Sequence, residues 1–145
     1  MNKIKTMFKN DDGWTFMETI IVIAIILLLT ATTGFVATSY LEKARKANAQ
    51  TQIDTFCIAL ESYYIDMGNY PPEDIGLNAL REKPSATNEQ AWSGPYIYKK
   101  VPKDPWGNEY HYKMPGENGN PYEITSYGVD GLEGGEGKNE DIKSW

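Results

Sequence analysis

Thr19-Ile20-Ile21-Val22-Ile23-Ala24-Ile25-Ile26-Leu27-Leu28-Leu29 opens a run that reaches Leu41 without a single charged residue. Wound as an α-helix, those 23 positions rise about 35 Å, enough to cross a hydrocarbon layer of about 30 Å. A helix that is apolar all round needs lipid or a large protein core about it. The rest of this 145-residue chain is too short to wrap such a helix, which argues against a buried core helix and for a membrane span. Lys3, Lys5 and Lys9 precede the run and Lys43, Arg45 and Lys46 follow it. The flanking cations therefore tie and do not orient the span. A short N-terminal segment inside and the larger C-terminal part outside is the simplest topology, with one translocated domain.

The helical pattern continues beyond Leu41. Glu42 to Gln50 is polar and rich in good helix formers. Ile53, Phe56, Cys57, Leu60, Tyr63 and Tyr64 then recur at three- and four-residue spacing, the stripe of a helix packed on a folded head. Met67-Gly68-Asn69-Tyr70-Pro71-Pro72 supplies the stop, with Gly as C-cap and Pro beyond it. From Trp14 to Asp66 the pattern predicts roughly 80 Å of helix. Downstream, 74–81 reads as a short helix with Asp74 as its cap. Residues 109–113 and 122–127 read as two strands joined through the turn-forming Pro115 to Asn120, hence a hairpin. The expected fold class is α+β. A long N-terminal α-helix, its apolar half protruding, packs by its second half against a small antiparallel β-sheet head with a C-terminal loop.

Composition removes several function classes. The net charge of −6 and pI of about 4.8 argue against a nucleic-acid binder, which needs clustered Lys and Arg. One Cys and one His exclude an intrachain disulfide and any multi-cysteine or multi-histidine metal site. Cys57 lies on the helical stripe and reads as a small buried hydrophobe. No phosphate-binding motif is present, and no nucleophile–base pair stands out. An enzyme is not expected.

The residues before the apolar run do not form an ordinary signal peptide, because no small-residue cleavage site follows it. Instead Asp12-Gly13-Trp14-Thr15-Phe16-Met17-Glu18 precedes it. A carboxylate at the start of a span is favoured by the helix dipole; it also suits pairing with a cation inside an assembly. A basic leader ending in Gly, then an aromatic residue, Thr, two apolar residues and Glu, resembles a type IV prepilin or pseudopilin. The resemblance implies cleavage after Gly13 by a prepilin peptidase and N-methylation of Trp14, the new first residue. Trp14 and Met17 stand where the family usually has Phe and Leu. Glu18 would then meet a neighbouring subunit's terminal amine and set the assembly register. The organisation expected is a leader at 1–13, a transmembrane and filament-core helix half at 14–41, and a periplasmic head at 42–145.

The acidic tail Gly128-Val129-Asp130-Gly131-Leu132-Glu133-Gly134-Gly135-Glu136-Gly137-Lys138-Asn139-Glu140-Asp141 sets five carboxylates against one Lys. Hard oxygen donors on a glycine-rich loop suit Ca²⁺, though the spacing is not that of an EF-hand. From chemistry alone a solvated tail fits as well.

Further along, Tyr70-Pro71-Pro72, Gly76-Leu77, Ala79-Leu80, Trp92, Gly94-Pro95-Tyr96 and Asp104-Pro105-Trp106-Gly107-Asn108-Glu109-Tyr110 make the chain similar to the major pseudopilins of type II secretion. That family carries a calcium-binding loop at the tail. Its motifs match Ser126-Tyr127-Gly128-Val129-Asp130-Gly131 and Asn139-Glu140-Asp141-Ile142. The resemblance implies Ca²⁺ held by side-chain oxygens of Asp130, Asn139 and Asp141 and by the carbonyls of Tyr127 and Leu132, with Glu136 and Glu140 as substitutes.

It further implies a structural subunit that enters the inner membrane and then builds a periplasmic homo-oligomeric helical filament supporting export of folded proteins. Its partners would be minor pseudopilins, the prepilin peptidase, an inner-membrane assembly platform and a partner ATPase. The alternative is a type IV pilin of a surface fibre for adhesion, motility or DNA uptake. The acidic loop and the missing C-terminal Cys pair argue against it.

Overall fold

The computed structural model describes residues 15–85 and 91–145, the side chains of 32–37 excepted. The chain divides between Ser39 and Tyr40 into two compact units. Helix α1 (Phe16–Met67) contributes to both.

In the first unit α1 starts on Thr15, whose hydroxyl oxygen accepts the backbone N–H of Glu18 at 3.3 Å. A helix start leaves four N–H groups open, and a Thr side chain at the cap satisfies one of them. Thr15 and Glu18 have the spacing of a capping box, and the carboxylate lies in the first turn, where the dipole favours it. Ile20, Ile21, Ile23 and residues 25–29 are 45–68% exposed, so this apolar surface is left uncovered among the described residues. Among the described residues no helix is both long and apolar enough to cross a membrane. The uncharged run passes through 32–37, whose side chains lie outside the described residues.

In the second unit α1 supplies Ala49, Ile53, Phe56, Leu60 and Tyr63 to the core, each buried. Cys57 is only half-buried and Tyr64 is exposed, its ring stacked on Tyr70 with centroids 4.7 Å apart. The buried stripe is thus narrower than the apolar pattern. Gly68 ends the helix: at φ +75° its N–H donates to the Tyr64 carbonyl at 2.7 Å, a conformation that penalises any side chain.

Where a short helix capped by Asp74 was expected, the chain forms a 3-10 turn over Gly76–Leu80. Its cap position is Ile75, with no side-chain bond. Leu77, Ala79 and Leu80 are all buried there, so packing, not capping, sets this segment. Five residues are too few for a stable α-helix without such support.

The expected hairpin is present, and it belongs to a three-stranded antiparallel sheet ordered β1 (His111–Lys113), β2 (Glu123–Ser126), β3 (Ile142–Lys143). The register pairs Tyr112 with Ile124 and Ser126 with Ile142. β3 was not anticipated; two residues are too short to show alternation. β2, the central strand, is buried along its whole length.

Tyr110, Tyr122, Ile124 and Ile142 close the core from the sheet side. Phe56 and Tyr110 meet edge to face at 5.3 Å. Each of several tyrosines turns its hydroxyl to an acceptor: Tyr110 to Gln52 at 2.8 Å, Tyr112 to the Pro71 carbonyl at 2.9 Å, Tyr96 to Asp66 at 2.8 Å. An aromatic body inside with its polar tip satisfied is how a small head fills its core with Tyr.

Candidate functional site

Residues 127–141 link β2 to β3. The Ser126–Ile142 pairing brings the two ends of that loop side by side. Beneath its start lies the Asp104–Asn108 turn. Asp104, 5% exposed, accepts the backbone N–H groups of Trp106 at 3.0 Å and Asn108 at 2.8 Å on Oδ1. Its Oδ2 accepts the hydroxyl of buried Ser126 at 2.6 Å. Asn108 in turn donates through Nδ2 to the Gly128 carbonyl at 2.8 Å. A side chain that closes its own turn two and four residues on is an Asx-type device. The sequence reading took this block as a mark of resemblance and missed its work as the seat of the loop. The signal was an Asp followed by Pro, Gly and Asn, all turn formers.

The expected metal ligands lie as follows. Tyr127 stacks on His111 with centroids 4.1 Å apart. Its phenol is pushed up by burial first, then by the Glu133 and Asp141 carboxylates, which brings those two acids into its surroundings. Asp130 accepts the Leu132 N–H on Oδ1 at 3.2 Å, and the Leu132 side chain is exposed. Asn139 ends the 3-10 turn Gly137–Asn139. Asp141 accepts the Gly134 N–H on Oδ2 at 2.8 Å.

The other Asp141 oxygen, Oδ1, is buried with no hydrogen-bond partner among the described residues. A buried carboxylate oxygen without a donor is costly and calls for a partner. Gly135 makes the turn beside it feasible: at φ +107°, a Cβ there would stand 2.5 Å from the Asn139 carbonyl oxygen. A shallow depression of about 330 Å³ is lined by Glu133, Gly134, Gly135, Glu140, Asp141 and Lys143.

Among the described residues no group of three His, Cys, Asp or Glu could hold a metal ion. Of the expected ligands Asp141 lines that depression, and Tyr127, Asp130, Leu132 and Asn139 do not. A cation held by Asp141 would need carbonyl and amide oxygens as well, which the donor set named from the resemblance contains. Oxygen donors alone, with a spare buried carboxylate oxygen, fit a hard ion such as Ca²⁺.

Glu140 is engaged elsewhere. Its Oε2 lies 3.1 Å from Lys46 Nζ, which also donates to the Gly137 carbonyl at 2.6 Å. Sequence reasoning counted Lys46 as a charge flanking the span and as part of the polar helical stretch from Glu42 to Gln50. No local signal ties it to a loop more than ninety residues away.

At the other end, Glu18 sits in the first turn of α1. Gly13 and Trp14 lie outside the described residues.

A helix that leaves its apolar side chains exposed near the start and packs its later turns on a small antiparallel sheet defines a pilin-like subunit. The family described as type II secretion system protein G matches residues 37–145. Type II secretion system core protein G of Vibrio cholerae is 39% identical over 141 residues, covering 94% of this chain and 93% of that protein. The Pseudomonas aeruginosa protein of the same name is 35% identical over 138 residues, covering 94% and 96%. The crystal structure of the major pseudopilin from the type 2 secretion system of enterohaemorrhagic Escherichia coli is similar with a TM-score of 0.60 and 29% identity. That likeness covers 74% of this chain and 92% of that one. The chain belongs to the type II secretion system protein G family. That family is one of structural pseudopilin subunits and not of enzymes, as the sequence reading expected. The fold class is likewise the one expected.

Proposed function

We propose that this chain is the major structural subunit of a periplasmic type II secretion pseudopilus, a helical homo-oligomer that supports export of folded proteins across the outer membrane. One observation carries the reading: Ile20, Ile21, Ile23 and residues 25–29 keep their large apolar side chains exposed. Such a surface is stable only in lipid or against other apolar helices. The subunit enters the inner membrane by this run. It is cut after Gly13 by a prepilin peptidase, methylated on Trp14, and passes through an assembly platform into a filament with minor pseudopilins.

Glu18 pairs there with the terminal amine of a neighbour, which fixes register more than it adds stability. Deleting this gene alone should abolish extracellular enzyme release while surface fibres persist. Loss of fibres with release intact would overturn the reading. Glu18→Ala should leave the chain in the membrane but out of filaments; wild-type incorporation would remove the register role.

The second part of the proposal is the cation. Side-chain oxygens of Asp130, Asn139 and Asp141 and the carbonyls of Tyr127 and Leu132 would hold Ca²⁺. Support comes from the buried Asp141 Oδ1, which has no hydrogen-bond partner among the described residues. When bound, the ion supplies charge that offsets a repulsive loop and stabilises the folded head by mass action. Calcium should raise the melting temperature and protease resistance of the full chain in detergent. If chelation leaves both unchanged, the site is not there.

A further inference from the structure

We infer that Lys46 is a tethered counter-ion for the C-terminal loop, a positioning residue on α1 that holds the loop in shape when no metal does. The loop carries Asp130, Glu133, Glu136, Glu140 and Asp141 against Lys138 alone. Lys46 brings a second cation from 91 residues away, donating to the Gly137 carbonyl at 2.6 Å and to Glu140 Oε2 at 3.1 Å. The Glu140 side chain is 65% exposed, so that ion pair by itself contributes little. The short bond to the carbonyl decides. An ammonium donating to a backbone oxygen is charge-assisted, and it grips the loop's own backbone rather than a mobile side chain.

The neighbouring cations have other direct partners, although Lys143 also lines the depression beside Asp141. Arg45 pairs with Glu42 at 3.3 Å, and Lys143 pairs with Glu123 at 3.0 Å. Lysine suits the task because its three donors radiate from one point and can serve a carbonyl and a carboxylate together.

The inference has an electrostatic sign that a simple staple lacks. A resident ammonium stabilises the metal-free loop and repels an arriving Ca²⁺. Removing it should therefore lower metal-free stability and tighten calcium binding. Lys46→Met keeps the apolar stem and deletes the charge. In full-length protein in detergent with chelator, its melting temperature should fall by about 4 °C relative to wild type. The calcium concentration for half-maximal stabilisation should fall on the order of threefold. Lys46→Arg should recover the metal-free melting temperature.

An unchanged metal-free melting temperature in Lys46→Met overturns the inference. So does a rise in the half-maximal calcium concentration, the mark of a staple whose loss only loosens the site. The calcium arm rests on the cation reading above, and the metal-free arm does not. Should calcium leave wild type unaffected, that reading fails by itself. The counter-ion role is then decided by salt: the metal-free difference between wild type and Lys46→Met should shrink in 1 M NaCl, on the order of the Debye screening expected there. A difference that salt leaves unchanged overturns it.

Discussion

Ile20 to Leu29 and Ala49 to Tyr63 lie on one helix, and apart from the half-buried Cys57 and the exposed Ile58 on the outer face of the second stretch their large apolar side chains meet opposite fates. In the first stretch the large apolar residues stand 45–68% exposed. In the second, Ala49, Ile53, Phe56, Leu60 and Tyr63 are 0–3% exposed. The difference follows from spacing. A stripe at three- and four-residue intervals presents one face, which one neighbouring layer can cover. Consecutive apolar residues present every face, and no sheet of three short strands can cover them all. The first stretch is therefore left without cover among the described residues. The second is satisfied by Leu77, Leu80, Tyr122 and Ile124 from the same unit. One helix is thus both a self-contained core element and an open apolar surface.

The largest expected break in this contrast is Leu60→Ala. Leu60 is fully buried, and removing such a side chain costs about 2–5 kcal/mol in transfer and cavity terms. Thermal unfolding of the full chain in detergent should show it as a large drop in the head's melting temperature. Asp104→Ala ranks next, at about 2–3 kcal/mol, because the Ser126 hydroxyl and two backbone N–H groups lose their acceptor. Limited proteolysis should find new cleavage within 127–141, and an uncut loop would show that the Asp104 turn does not seat it.

Alkali tests the tyrosine core. Burial, followed by Glu61, pushes the Tyr70 phenol up to about 12, and burial also pushes Tyr110, Tyr112 and Tyr122 up. These groups are neutral when protonated, and in the unfolded chain they ionise near about 10. The unfolded state therefore loses protons first. Stability is whole below about pH 10 and falls as pH rises toward the folded values. Phenolate absorbance should appear together with loss of near-ultraviolet circular dichroism. Phenolate formation in a still-folded head would contradict the buried tyrosine network.

The smallest effect belongs to the exposed stretch. Leu27→Ala, at a residue 64% exposed, should move head unfolding by no more than about 0.5 kcal/mol. Its consequence should appear in assembly instead, as reduced recovery of filaments from cells. A destabilised head in this variant would mean that the exposed stretch supports the core after all.

Features that depend on neighbours in sequence were legible. The helix, its halt at Gly68, and the β1–β2 hairpin all rest on periodicity and on Gly and Pro placement, which act within a few residues. The acidic loop was legible as a set of oxygen donors. Less legible was that Asp141 stands apart among them: folding buries its Oδ1 with no hydrogen-bond partner among the described residues. β3 was illegible because two residues carry no pattern, and it exists through pairing with Thr125 and Ser126. Asp74 looked like a helix cap, but burial of Leu77, Ala79 and Leu80 pulled that segment into a 3-10 turn.

By itself, then, the amino-acid order determined that this protein has a long helix of two characters and a small aromatic head, because both follow from the local alternation of apolar and polar residues. The seating of the loop on Asp104 and Asn108, and the reach of Lys46 to Gly137 and Glu140, were decided only in three dimensions. Those contacts join groups twenty to more than ninety residues apart. Their geometry is set by where the core places each backbone, and no short stretch of sequence holds that information.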